Sequence, residues 1–202
     1  MGKLERKLAA ACAQGDLDAA RAAIEDGAEL DEAHHGGLDA LRLCAKTSDP
    51  LLAVKVQLAY QRKLGAPSWR SRDGSDALSI LALRADPELM ERAAALMPSA
   101  LFSRDADGRS PFDLFCESCC ALASDAPSVA PVVAHLAQDA SDEALSSAVE
   151  SCRLGVQTAE ALSRGASRRG SALDALQAQV EARALNLSMG PGRSASRKEG
   201  RL

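Results

Sequence analysis

Apolar residues recur along this chain in short helical bursts. Leu17, Ala20, Ala23 and Ile24 stand at i, i+3, i+6 and i+7, which is one face of a helix. Leu51, Val54 and Leu58 repeat at helical spacing too. Gly or Asp-Gly turns separate the bursts. Gly27 and Gly65 suit helix C-termini, where a positive φ is needed. Asp49-Pro50 and Asp86-Pro87 suit helix starts, with Asp as N-cap and Pro in the first turn. Alanine is abundant and aromatics make up only 2% of the chain, so paired helices can approach closely. Each helical unit is then thin, and its core is made between neighbours. One such unit cannot bury its own apolar face, whereas a stack of them makes a continuous core.

The bursts keep a period. Leu41, Leu78, Phe112 and Leu145 are apolar residues at equivalent places, spaced 37, 34 and 33 apart. A Gly-Ala pair ends three segments, at Gly27-Ala28, Gly65-Ala66 and Gly165-Ala166. The last two pairs are 100 residues apart, close to three periods of about 33.

The stretch Gly15 to Glu32, GDLDAARAAIEDGAELDE, carries a family likeness. It resembles the second half of an ankyrin repeat, roughly G-H-L-E-V-V-K-L-L-L-E-x-G-A-D-V-N. Gly15, Leu17, Ile24, Gly27, Ala28 and Leu30 fall on the fixed places of that pattern. Asp16, Asp18, Arg21, Glu25, Glu29 and Asp31 are chemically close to it. The first half, D-G-x-T-P-L-H-L-A-A, is resembled by Gly37 to Ala45, by Asp73 to Ala82 and best by Asp107 to Leu114. Fainter copies stand at Ala144-Leu145 and Gly170 to Leu173. The likeness covers roughly residues 4–186. Residues 55–70 carry about four residues more than the family period, and 116–139 lack its Gly-His-Leu and Gly-Ala marks. Another helical repeat of about 34 residues would want large aromatics at fixed places and lacks these turns.

Composition sets the remaining bounds. The chain has 202 residues, 47% hydrophobic and 26% charged, ordinary for a soluble globular protein. The continuous period argues for one elongated domain over residues 1–186. Residues 187–202 are expected to be a disordered basic tail, without apolar periodicity. The net charge is -4, with a local +3 over residues 193–202 and about -7 elsewhere. A mildly acidic body does not favour nucleic-acid binding. No run of 18 apolar residues is present, so no spanning helix is expected. Met1 to Lys7 lacks an apolar signal core, and Arg6 stands where myristoylation wants Ser or Thr. The Asn186-Leu187-Ser188 sequon is then accidental, and the expected location is cytoplasmic or nuclear.

Candidate chemistry is sparse. Among six cysteines only Cys116, Cys119 and Cys120 cluster, and no histidine pair completes a four-ligand zinc set. Cys12, Cys44 and Cys116 align with the family's helical Ala-Ala places, where they would serve as small core residues. A redox role would rest on Cys119 and Cys120. The chain has no phosphate loop and no nucleophile elbow. Asp105-Ala106-Asp107-Gly108 opens like a calcium loop, but Arg109 to Phe112 lack the further oxygen ligands, which favours a plain Asp-Gly turn. His34-His35 would be an acid-base pair only if buried or closely charged, and it falls in an expected solvated loop. No catalytic residue, metal or cofactor is therefore expected.

The resemblance implies an all-α-dominated ankyrin-repeat solenoid of about five units, the last partial. Such arrays hold partners on their finger loops and concave inner helices. Carried over, the binding positions are His34, His35, Trp69, Arg70, Arg72, Arg104, Arg168 and Arg169. Trp69, the only tryptophan, is either an interface anchor beside its arginines or a cover over residues 59–68. Basic fingers on an acidic body favour a protein partner with an acidic segment. Arg193 stands three before Ser196, the spacing basophilic kinases read, so Ser196 is a candidate phosphorylation site. The expected function is a non-catalytic interaction module, monomeric on its own. The alternative is a subunit of a larger stable complex.

Overall fold

The computed structural model describes residues 2–36, 38–72, 74–122, 126–162 and 176–180. Within them the protein is helix-dominated. Its α-helices follow in order as α1 (Lys3–Gln14), α2 (Leu17–Glu25), α3 (Ala40–Ala45), α4 (Leu52–Leu64), α5 (Ala77–Ala82), α6 (Pro87–Leu96), α7 (Pro111–Ala121), α8 (Ala126–Leu136) and α9 (Asp142–Leu162), and residues 176–180 are helical too. Two-residue strands β1 (His34–His35) and β2 (Leu38–Asp39) pair antiparallel, His34 opposite Asp39.

Local chemistry starts and stops these helices. Asp16, Asp39, Asp76 and Asp86 each accept the N–H of the third helical residue, and Ser110 makes a capping box with Asp113. Pro87 and Pro111 occupy first-turn positions, where their missing N–H is no loss. Gly65 ends α4 in the left-handed region at φ 63°, a conformation that costs other residues about 1–2 kcal/mol. The expected Asp49 cap is corrected. A tight turn, with Leu52 N–H on Asp49 C=O and Ala53 N–H on Pro50 C=O, delays α4 until Leu52. The Asp49 carboxylate then faces Lys55 at 2.7 Å instead of capping.

Short connections fold the helices back into pairs. α1 packs on α2, α3 on α4 and α5 on α6. The pairs also pack in sequence: α1 on α3, α3 on α5, α5 on α7 and α7 on α9 in one row, α2 on α4 and α6 on α8 in the other. The core is mostly alanine and leucine, with valine, cysteine and methionine among them and Phe112 and Phe115 as its largest fully buried side chains. Leu41, Leu78, Phe112 and Leu145, the periodic anchors, are all buried. Basic side chains clasp one pair to the preceding one. Lys63 of α4 donates to the Ile24 carbonyl at the end of α2, and Arg84 donates to the Ala45 carbonyl ending α3, at 2.6 Å. Residues 116–139, without sequence marks, still supply most of α7 and all of α8.

Two loops repeat one design. In the loop between α4 and α5, Ser71 N–H bonds the Ser75 carbonyl at 2.9 Å, Gly74 N–H bonds the Ser71 carbonyl, and Arg70 donates to the Gly74 carbonyl. In the loop before α7, Asp105 N–H bonds the Arg109 carbonyl at 2.8 Å, Gly108 N–H bonds the Asp105 carbonyl, and Arg104 donates to the Gly108 carbonyl. Every partner is displaced by 34 positions. Asp105 Oδ1 accepts from Asp107 N–H and Arg109 N–H, both at 2.9 Å, so this carboxylate shapes its own turn.

Candidate partner-binding cleft

Between the first loop, which leads from α2 to α3, and the second, which leads from α4 to α5, lies a cleft of about 250 Å³. Its floor is apolar. Leu30 and Leu41 are buried, and Ile80 and Trp69 are half-buried. Asp31, His34, Asp39, Arg42, Ser71 and Arg72 complete the lining. Three residues singled out from sequence, His34, Trp69 and Arg72, thus share one site.

Trp69 is held on two sides. Its ring meets Tyr60 edge-on at 5.5 Å, an arrangement favoured by the ring quadrupoles. Its carbonyl accepts from Gln57 Nε2 at 3.1 Å. Gln57 Oε1 accepts from Ala77 N–H at 2.6 Å. One buried amide therefore clasps both ends of the second loop. The packing expectation for Trp69 is met at Tyr60, and the residue also lines the cleft. Gln57 escaped sequence reasoning. Its only signal is a polar residue among the apolar positions of α4.

The rim has a defined polarity. Asp39 Oδ1 accepts from Arg42 N–H at 2.8 Å, and its Oδ2 lies 3.2 Å from the Arg42 guanidinium. Asp31 Oδ1 accepts from Arg72 N–H at 3.3 Å. Asp39 is thus the N-cap of α3, and Asp31 is engaged by the backbone of the second loop. Arg72 instead reaches outward, with its side chain 78% exposed and paired at 2.8 Å with the half-exposed Glu32. His34 is exposed beside it.

The remaining candidates disperse. His35 is exposed on β1 and does not line the cleft. Arg70 turns inward, donating to the Ser103 carbonyl at 2.6 Å and lying 3.5 Å from the buried Asp76 carboxylate. It ties the second loop to the next one. Arg104 similarly faces Glu143 at 3.2 Å. Arg168, Arg169 and Ser196, with the tail from 187, lie outside the described residues.

All six cysteines are free thiols, and all are buried. Burial pushes the Cys119 thiol up to about 12, with Cys120 adding to the effect. Cys120 is raised by its hydrogen bond to Cys152 and by burial, and Cys116 by burial. Raised thiols out of reach of solvent are poor nucleophiles, which removes the support for redox sensing at Cys119 and Cys120. Among the described residues no three His, Cys, Asp or Glu side chains group so as to hold a metal ion. Among them, too, no helix is long and apolar enough to cross a membrane. No family model and no curated protein matches this chain.

Proposed function

We propose that this chain is an ankyrin-type stack acting as a non-catalytic protein–protein interaction module. The observation that carries the reading is the cleft between two loop tips, where a half-buried Trp69 stands beside an outward Arg72. Aromatic and arginine side chains at the edge of a desolvated pocket are what binding hot spots contain. The 34-residue offset between the two hydrogen-bonded loops supports the fold part, being close to the ankyrin period of 33. The loop that carries Trp69 is tied through Arg70 to Ser103 and through Gln57 to α4. Preformed loops lose little entropy on binding, which favours a rigid recognition surface.

Affinity capture from the native cell tests this, comparing wild type with Trp69→Leu/Arg72→Glu. A partner held by wild type and lost with the folded double variant supports the module. A partner set identical for both proteins, or no specific partner, overturns it.

A second reading has its own observation. Leu122 and Leu154 are 64% and 48% exposed. They flank the crossing where Gly155 meets Glu117 and Ala121. An apolar edge there favours a permanent subunit, whose interface is larger and more apolar than a transient one. Capture that resists the double variant but fails with Leu122→Glu/Leu154→Glu would select this reading.

A further inference from the structure

We propose that a cavity between α4 and α6 binds one uncharged main-chain peptide unit of an extended partner segment, held by the side-chain amide of Gln61. The packing of the helices sets the site up. α2 packs on α4 and α6 on α8, but among the described residues no close packing joins α4 to α6. A cavity of about 120 Å³ lies there instead, walled by α4, the loop after it, the end of α6 and the turn Pro98–Ala100. Small-molecule sites run from about 300 to 1,000 Å³, so this one is sized for a peptide unit and not for a cofactor. Gln61 identifies the ligand. It lines the cavity and is only 6% exposed, yet no hydrogen bond engages its amide among the described residues. Gln57, one turn earlier, is bonded at both ends of its amide. A buried amide left without a partner costs free energy. It offers N–H donors and a carbonyl acceptor, and a peptide unit answers with one acceptor and one donor.

The other polar groups of the wall fix the ligand as neutral. Its charged residues are Arg70 and Asp76, which face each other at 3.5 Å. Asp76 Oδ1 also accepts from the Ser79 N–H and hydroxyl, and Arg70 donates to the Gly74 and Ser103 carbonyls. No unpaired charge of the wall is left for a charged ligand, and burying a charge unpaired is expensive. The backbone of the ligand must be extended, because a helix spends its N–H and C=O groups on itself, whereas an extended segment leaves them free to bond across a groove. Leu58, half-buried, and Leu96, 45% exposed, give its side chains apolar cover. The site lies apart from the cleft of His34 and Arg72, whose lining does not include Gln61, so the two stand or fall separately.

The probes are the acetylated, amidated peptide GSALASG and the same peptide N-methylated at its central residues, which removes their main-chain donors. Each is titrated into the full chain while the Gln61 side-chain amide is followed by heteronuclear NMR. GSALASG is expected to shift that amide along one saturable, millimolar curve. The N-methylated peptide should bind about three- to tenfold more weakly, the worth of a lost hydrogen bond. Gln61→Met keeps the length of the side chain and removes its amide, so it should bind both peptides alike, at or below the weaker level. Because nothing in the described fold bonds this amide, Gln61→Met should keep the wild-type urea midpoint. No saturable shift at Gln61, the result if ordered water is the only occupant, overturns the proposal. So does equal binding of the two peptides by wild type, or a clearly lowered midpoint in Gln61→Met. Shifts of the same amide with protein concentration alone would make a second copy of the chain the occupant and overturn it too.

Discussion

Gln57 shows how one buried side chain governs the cleft. It is fully buried, and its amide closes the Trp69 carbonyl and the Ala77 N–H at once. Replacing it by leucine of similar bulk leaves both backbone groups without that partner. A buried polar group so orphaned costs about 1–3 kcal/mol. Gln57→Leu should therefore lower the unfolding free energy by that measure, read as a lower urea midpoint. It should also change the fluorescence of Trp69, the only tryptophan, because the loop bearing it loses its clasp. An unchanged midpoint and spectrum would show that the second loop is held by Tyr60 and Arg70 alone. The thiols give a second expectation at this scale. Unfolded cysteine titrates near 8.5, whereas burial holds Cys119 up to about 12 in the fold. The protonated thiol is thus favoured by folding. Its stabilisation is complete below the ordinary thiol range and is lost as pH rises from there toward about 12. Urea midpoints at pH 7 and pH 10 should fall more steeply for wild type than for Cys119→Ala. Equal slopes would show that Cys119 does not contribute to the pH dependence.

At the scale of elements, the packing of α9 on α7 depends on one missing side chain. Gly155 lies inside α9, where glycine costs about 1 kcal/mol relative to alanine. A Cβ there would press on the Glu117 carbonyl oxygen and stand 3.2 Å from the Ala121 nitrogen. Those are backbone atoms of α7, and they cannot rotate away. The propensity gain and the clash therefore have opposite signs, and overpacking of this kind costs about 1–3 kcal/mol. Gly155→Ala should destabilise on thermal or urea unfolding, and a stabilised variant would show that α9 can slide. Sequence reading reached the elements unevenly for physical reasons. Leu41, Leu78, Phe112 and Leu145 were legible as core because apolar spacing reports burial directly. His34, Trp69 and Arg72 were legible as loop positions, but not as one cleft, because their meeting depends on the stacking of two pairs. Arg70 and Arg72 look alike in sequence, yet one turns inward to Ser103 and Asp76 and the other outward. Gln57 was illegible because glutamine usually marks solvent. Gly155 was illegible because its necessity lies in another helix.

Across the whole molecule, the principal contacts join neighbours in order, from α1 with α3 through α5 and α7 to α9. If the molecule is the repeat stack proposed above, its stability is a chain of unit terms and interface terms. Damage at one end should then weaken that end before the rest. The cleft sits between the pairs α1–α2, α3–α4 and α5–α6, away from the α7–α9 crossing. Trp69 reports on the former, and far-ultraviolet dichroism reports on helix everywhere. In the wild type the two signals should change together with urea, as cooperative unfolding requires. In Gly155→Ala the dichroism should begin to fall at lower urea, while Trp69 stays native until the later transition. Coincident curves in the variant would show instead that the interfaces are strong enough to make the molecule one cooperative unit. Separated curves carry a functional consequence, because the α7–α9 end could then loosen while the cleft remains formed. A partner held at Trp69 and Arg72 would stabilise its own part of the stack and leave the far end nearly unchanged.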